Sequence, residues 1–314
     1  MDEHETSGPE RPLVSAVIPA YNASGTILRA LESVRIQDYE PIEVIVVDDG
    51  SADGTGDLVA SYEGRGIRLI TLDRNQGECG AMNVGIREAK GEYIAFLDAD
   101  DEWLEGKITR QVEQLQANPR LSFVVCDSML VGRDGSISEP SADDCPMVEG
   151  AEAWRRLLLC SFVAKPCVVA RRSTLLALDG FNPALSVAGD QEMWIRLALA
   201  GEVGCIRKPL VRVHDTPGSL MSRNPTGVVD YLLPMIERHV EEQRHRLSKR
   251  EIREILGARY AYAGRYLYTR GAPWRAIGLV LKGLVRGDAP LGNLAYLLIA
   301  SPPVRWLAAR LRRR

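Results

Sequence analysis

The amino-acid sequence predicts an α/β fold, a mostly parallel sheet flanked by helices, followed by an all-helical C-terminal extension. Three observations carry that expectation. Short β-branched runs alternate with stretches of helical spacing five times between Leu13 and Cys126. The runs are continuously apolar rather than alternating, as in strands buried on both faces of a parallel sheet. Beyond Asn224 no strand signal remains.

In chain order, the first run is LVSAVIP from Leu13, and Ile27, Leu28, Leu31 and Val34 follow at helical spacing. IEVIVVD from Ile42 gives the second strand, and the GSADGTG stretch behind it has turn chemistry. A third strand falls at 67–72, a helix at about 80–89, YIAFLD is the fourth strand, a helix spans about 105–117, and LSFVVC is the fifth strand. GRDGS at 132–136 reads as a hairpin or loop. After Val148 the pattern predicts a helix at 151–159, a strand at 167–170 and a helix from about 190 to 199. Helices at 228–247, 249–269, 273–285 and 291–314, punctuated by Gly and Pro, complete the chain. The expected division is a disordered tail over 1–12, an α/β domain over 13–223 and a basic helical extension over 224–314.

The chain has 314 residues, enough for one large α/β domain and an appendage. Hydrophobic residues at 46% and charged ones at 26% exclude a disordered, collagen-like or coiled-coil chain. The net charge of -3 conceals an asymmetry: residues 1–239 hold 23 basic and 37 acidic groups, residues 240–314 hold 16 and 5. A basic tail suits an anionic membrane or a nucleic acid, and the acidic body argues against nucleic acid. Six cysteines without a CxxC pair read as reduced core thiols and point to the cytosol. MDEHETSGPERP lacks the basic start and apolar centre of a signal peptide. No run reaches the ~18 apolar residues of a spanning helix.

In an open α/β sheet, ligands bind beyond the carboxyl ends of the strands. Those ends are acidic here: Asp48-Asp49-Gly50-Ser51 after the second run and Asp98-Ala99-Asp100-Asp101 after the fourth, with Pro19-Ala20-Tyr21-Asn22 after the first. Clustered carboxylates need partners, and an anionic diphosphate among them needs a cation between. Asp98 and Asp100, two apart on an extended segment, suit a Mg²⁺ or Mn²⁺ ion sharing its coordination with phosphate. The alternative, strongest for Asp48 and Asp53, is that single acids cap the helices that follow. Asp190 precedes a helical pattern, where it reads as a cap or as a carboxylate raised in proton affinity by nearby Glu192.

The ordered set VIPAYN, IEVIVVDDGSADGT, NQGECGAMNVGI, GEYIAFLDADD, GDQEMWIRLALAG and VRVHDTPGSL resembles the family 2 glycosyltransferases, from about residue 14 to 219. The resemblance implies the GT-A (Rossmann-like) fold, with a nucleotide-sugar half over 13–126 and an acceptor half over 127–223. It implies an inverting enzyme that moves a sugar from a nucleoside diphosphate to a hydroxyl of a glycan or lipid-linked glycan. Pro19, Tyr21, Asn22, Asp49, Asn83, Asp98 and Asp100 would bind the nucleotide sugar, with Asp98 and Asp100 as the DxD element. Asp190 would be the general base, and Asp100 and His214 would hold Mn²⁺ or Mg²⁺. Three positions depart from the family pattern. Met82 stands where an arginine is common, with Arg74 as a substitute; Gly180-Phe181-Asn182 replaces Gly-Phe-Asp; Gly189-Asp190 replaces Glu-Asp.

His214 also reads as a satisfied structural histidine, and Trp194 as helix packing. Trp274, Ile277, Leu281 and Leu284 fall near one helical face. The Leu-, Trp- and Arg-rich final segment suits an interfacial helix on anionic lipid, or a helical cap on the α/β domain. The expected location is the cytoplasm, peripheral on the inner face of the cell membrane. A nucleotidyltransferase lacks support, because YNASGTI after the first strand is not its glycine- and lysine-bearing loop. A catalytically silent sugar-binding or scaffold protein is the remaining competitor, and the acids speak against it.

Overall fold

The computed structural model describes residues 11–62, 66–138, 146–161, 163–216, 224 and 226–286. The first half alternates as the sequence predicts: β1 (Val14–Ala20), α1 (Ile27–Arg35), β2 (Ile42–Asp48), α2 (Thr55–Ser61), β3 (Ile67–Thr71), α3 (Gly77–Glu88) and β4 (Tyr93–Phe96). Then come β5 (Glu102–Trp103), α4 (Lys107–Ala117), β6 (Leu121–Val131), β7 (Ile137–Ser138), α5 (Ala153–Leu159), β8 (Val168–Arg171), α6 (Arg172–Ala177), α7 (Gly189–Ala200) and β9 (Glu202–His214). Three helices follow, α8 (Leu233–Glu242), α9 (Lys249–Thr269) and α10 (Pro273–Arg286).

Among the described residues one sheet runs in the order β3-β2-β1-β4-β8-β6-β9-β5, with β7 paired to β6. β3, β2, β1 and β4 are mutually parallel, and β6 and β9 run the same way; β8, β5 and β7 are reversed. The sheet is therefore mostly parallel. The chain steps outward from β1 to β3 and returns to β4 on the other side of β1, so the switch point lies between β1 and its two neighbours. Val17, Ile18, Ile45, Val46, Val47, Ile94 and Phe96 are wholly buried, as continuous apolar runs require. Trp194 of α7 packs on Phe96, Phe123 and Phe181 at ring distances of 5.6, 5.9 and 5.8 Å, which makes it a core residue.

Several expectations are corrected. β9 carries no continuous strand signal because Arg207-Lys208-Pro209 interrupts it. The ladder jumps from Cys126↔Ile206 to Asp127↔Pro209, and this irregularity removes Arg207 and Lys208 from the pairing. The single helix expected over 228–247 is a π-helical turn at Val228–Leu232, then α8, then a 3₁₀ turn at Arg244–Arg246. Pro234 has no N–H for the regular ladder, which therefore restarts there. Cys79, Cys126, Cys167 and Cys205 are free and buried as expected, but Cys160, half-buried at the end of α5, is disulfide-bonded. The redox argument for a cytosolic location falls with it.

The described residues up to 216 form one compact unit apart from 155–161 and 185–188, and these two segments join the residues from 224 onward in a second. The expected contiguous division thus misses most of α5. In the second unit, Arg259 of α9 donates to the carbonyls of Leu157 and Leu158 at 2.7 and 2.6 Å, so a buried guanidinium closes the carboxyl end of α5. α9 begins at Ser248, whose hydroxyl accepts the Glu251 N–H while Glu251 accepts the Ser248 N–H. Among the described residues no helix is long and apolar enough to cross a membrane. The first ten residues, Cys145, the end of the VRVHDTPGSL motif and the helix expected at 291–314 lie outside the described residues.

Candidate active site

The carboxyl ends of β1, β2 and β4 and the start of α7 supply the candidate residues. Just beyond β4, Asp98 forms an ion pair with Lys165, and the same ammonium pairs with Glu78 from the first turn of α3. Lys165 precedes Pro166 in a short 3₁₀ turn ahead of β8, and Trp103 Nε1 donates to the Pro166 carbonyl at 3.0 Å, which fixes the turn. The Lys165 side chain is only 5% exposed. Burial disfavours its charge, but the carboxylates of Asp98 and Glu78 outweigh burial and hold it firmly protonated.

Asp190 stands at the N-terminus of α7, where its Oδ1 accepts its neighbour Gln191 N–H at 2.7 Å. Burial raises its proton affinity, Glu78 raises it further, and the Gln191 N–H and Lys165 oppose them. The carboxylate acting on Asp190 is therefore Glu78 and not Glu192. Glu192 is neutralised one turn on by Arg196, at 2.7 Å, whose other nitrogens hold the Leu178 and Gly180 carbonyls. Burial likewise raises Asp98 and Asp101, with Lys165 opposing it at Asp98 and the Asp98 charge adding to it at Asp101.

Asp100 differs from its neighbours. Its carbonyl accepts from Arg29 at 2.5 Å, while its half-exposed carboxylate has no hydrogen bond or ion pair among the described residues. His214, at the end of β9, donates its N–H to Asp101 at 2.9 Å, and its Nε2 meets Glu102 Oε1 at 2.7 Å. Glu102 also faces Arg29 and Arg212, at 3.4 and 3.5 Å, so one ring nitrogen of His214 is already engaged. No group of three or more His, Cys, Asp or Glu among the described residues could hold a metal by itself. A divalent ion fits only as a hard cation taking one carboxylate, Asp100, and completing its shell with phosphate oxygens and water.

The nucleotide side is a stitched pair of loops. Asn22, in a left-handed conformation at φ 50, accepts the Ala52 N–H on its Oδ1 at 2.9 Å and donates its own N–H to Ser51 Oγ at 2.9 Å. Asp53 accepts the Ser24 N–H and the Thr55 N–H and hydroxyl, in keeping with its capping reading. Tyr21 projects outward at 46% exposure, and Pro19 is half-buried at the end of β1. Asp49 is buried and accepts the Gln76 N–H at 2.7 Å; burial raises its proton affinity against that bond.

Asn83 is a correction. Its amide is buried and doubly bonded to the Phe181 backbone, accepting the N–H and donating to the carbonyl, both at 2.7 Å. It clamps the Gly180-Phe181 turn rather than facing a ligand. Gly180 sits at φ 67, and a Cβ there would collide with the Asn83 Oδ1. Met82, where the family pattern favours arginine, is wholly buried. The cation at the acidic rim is Lys165, which sequence reasoning missed together with Glu78. Its one signal was a lone charge inside the apolar stretch VAKPCVVA.

Residues 15–140 match the profile of Glycosyl transferase family 2. The chain belongs to glycosyltransferase family 2. It is 47% identical over 106 residues to the succinoglycan biosynthesis protein ExoO of Rhizobium meliloti, covering 34% of this chain and 30% of that one. It is 41% identical over 104 residues to WfaP of Escherichia coli, a UDP-Glc:alpha-D-GlcNAc-diphosphoundecaprenol beta-1,3-glucosyltransferase, covering 33% and 41%. The chain spans less than half the length of these curated relatives. Among solved structures, the mannosyltransferase PcManGT of Pyrobaculum calidifontis, in complex with GDP-Man and Mn²⁺, matches with a TM-score of 0.62 at 22% identity over 96% of this chain and 84% of that one. The fold of this family 2 chain is GT-A-like.

Proposed function

We propose that this family 2 chain transfers a sugar, with inversion, from a nucleoside diphosphate to a hydroxyl of a glycan or lipid-linked glycan. The observation that carries the reading is Asp190. It is a buried carboxylate of raised proton affinity, set with Glu78 and Lys165 beside Asp98 at the carboxyl edge of the sheet. In-line displacement needs one base to take the acceptor proton, and a carboxylate of raised affinity binds that proton better than an ordinary one. Asp49 would meet the base, and Asp98, held by Lys165, the ribose. Held by Asp100 and the diphosphate oxygens, Mn²⁺ or Mg²⁺ would supply charge neutralisation of the leaving group.

A lipid-linked acceptor is favoured because WfaP, the relative above, acts on a diphosphoundecaprenol substrate. It would place the chain at the inner face of a membrane. Two variants test the reading. Asp100→Ala should abolish a manganese-dependent thermal stabilisation by UDP or GDP. Asp190→Asn should keep the stabilisation and lose roughly 10²- to 10⁴-fold in turnover. Absence of any nucleotide-dependent shift in the native chain would favour the silent scaffold, and full turnover in Asp190→Asn would move the base elsewhere.

A further inference from the structure

α10 has two apolar faces, and only one of them is filled. Ala276, Val280 and Gly283 are buried. Their small size lets α10 lie close on α9: a Cβ added to Gly264 would stand 2.5 Å from Val280 Cγ2, and one added to Gly283 would stand 2.8 Å from Tyr260 Cβ. The face expected from the sequence, Trp274 with Ile277, Leu281 and Leu284, is not the packed one. Trp274, Leu281 and Val285 are instead exposed, at 77%, 46% and 88%. At 3.6 residues per turn these three lie within about 40° of one another, on the side opposite the packed face.

A single exposed leucine is ordinary, but an indole and two branched aliphatics in line over three turns form a patch. Arg275 and Lys282 are exposed along one edge of it. Lys282 lays its ammonium 4.9 Å from the Tyr260 ring, so its stem lies along the helix pair. No acid occurs between Pro273 and Arg286, and from Arg265 to Arg314 there are ten basic residues against one acid, Asp288.

We propose that the Trp274, Leu281 and Val285 face of α10, with Arg275 and Lys282 at its edge, lies in the surface of an anionic lipid bilayer. Charge chooses this occupant. A second copy would bring two acid-free basic edges together, and residues 287–314, with five arginines and one acid, would meet the same repulsion. Anionic headgroups complement the edge, while the indole and aliphatics enter the boundary between headgroups and acyl chains. The inference does not depend on sugar transfer and survives if that reading fails.

The test is sedimentation of the full chain with vesicles of phosphatidylcholine, alone or mixed equally with phosphatidylglycerol. Partitioning should require phosphatidylglycerol and weaken as salt rises from about 0.1 to 0.5 M. Trp274→Ser with Leu281→Ser and Val285→Ser should lower the partition coefficient at least about tenfold. Arg275→Glu with Lys282→Glu should also weaken it. All five residues are exposed, so an unchanged far-ultraviolet circular dichroism spectrum verifies folding. Quenching of tryptophan emission by brominated lipid should diminish in Trp274→Phe. The proposal is overturned if the native chain does not sediment with the mixed vesicles, or if the triple-serine variant partitions as the native chain does. Loss of a dimer in that variant, with partitioning unchanged, would overturn it in favour of a second copy.

Discussion

Lys165 and Lys107 are both buried lysines, and their surroundings give them opposite tasks. Lys165 joins Asp98 to Glu78 and opposes the rise in Asp190, whereas Glu78 promotes it. The two neighbours should therefore move the base in opposite directions. A base works only when deprotonated, so kcat/KM falls as pH drops through the pKa of Asp190. Lys165→Met should shift that acid limb to higher pH and Glu78→Gln should shift it lower. Limbs displaced in the same direction would show that the cluster does not tune Asp190. Lys107 has no such partners. Its side chain is wholly buried, its ammonium lies 4.4 Å from the Trp103 ring, and its nitrogen has no hydrogen-bond partner. Burial pulls its pKa from 10.5 to about 8. A lowered lysine pKa penalises the folded state fully below the folded value and not at all above the unfolded one. Lys107→Met should thus raise the melting temperature at pH 7, by an amount equivalent to about 1 to 3 kcal/mol. The advantage should close between pH 8 and 10.5, which melting curves across that range would check.

Helices and strands differ in how far their sequence betrayed them. β1, β2 and β4 were legible because an unbroken apolar run is what double burial demands, and the acids beyond them were legible because strand ends face ligands. Lys165 was not, because its partner Glu78 lies 87 residues away and only the fold brings them together. Asn83 matched a motif, yet its bonds run to Phe181, 98 residues on. β9 was hidden by its irregular register and the packed face of α10 by its small residues, since periodicity arguments weigh large side chains. Gly264 measures that last point. Alanine there gains about 1 kcal/mol of helix propensity. It also places a methyl 2.5 Å from Val280 Cγ2 and 3.1 Å from the Ala276 carbonyl, an overpacking that typically costs about 1 to 3 kcal/mol. The clash should win, and Gly264→Ala should melt earlier than the native chain; an unchanged or raised melting temperature would mean that α10 shifts at little cost.

Every residue assigned to the donor and to the base belongs to one of the two compact units: Asp49, Glu78, Asp98, Asp100, Lys165 and Asp190 all lie in the first, while α8, α9 and α10 lie in the second. Ligand binding stabilises the elements that form the site, by about 2.7 kcal/mol at a hundred times Kd. With two units a single melting temperature is not a well-defined measure of that gain. Hydrogen exchange resolves it, because amides report the stability of the unit in which they sit. Manganese with UDP or GDP should slow exchange in β1, β2, β4 and the first turn of α7 and leave α9 and α10 at their unliganded rates. Vesicles containing phosphatidylglycerol should do the reverse, protecting α10 without the sheet. Nucleotide protection spread evenly over both units would mean that they unfold as one, and the acidic rim and the basic helices would then have to be read as a single cooperative body.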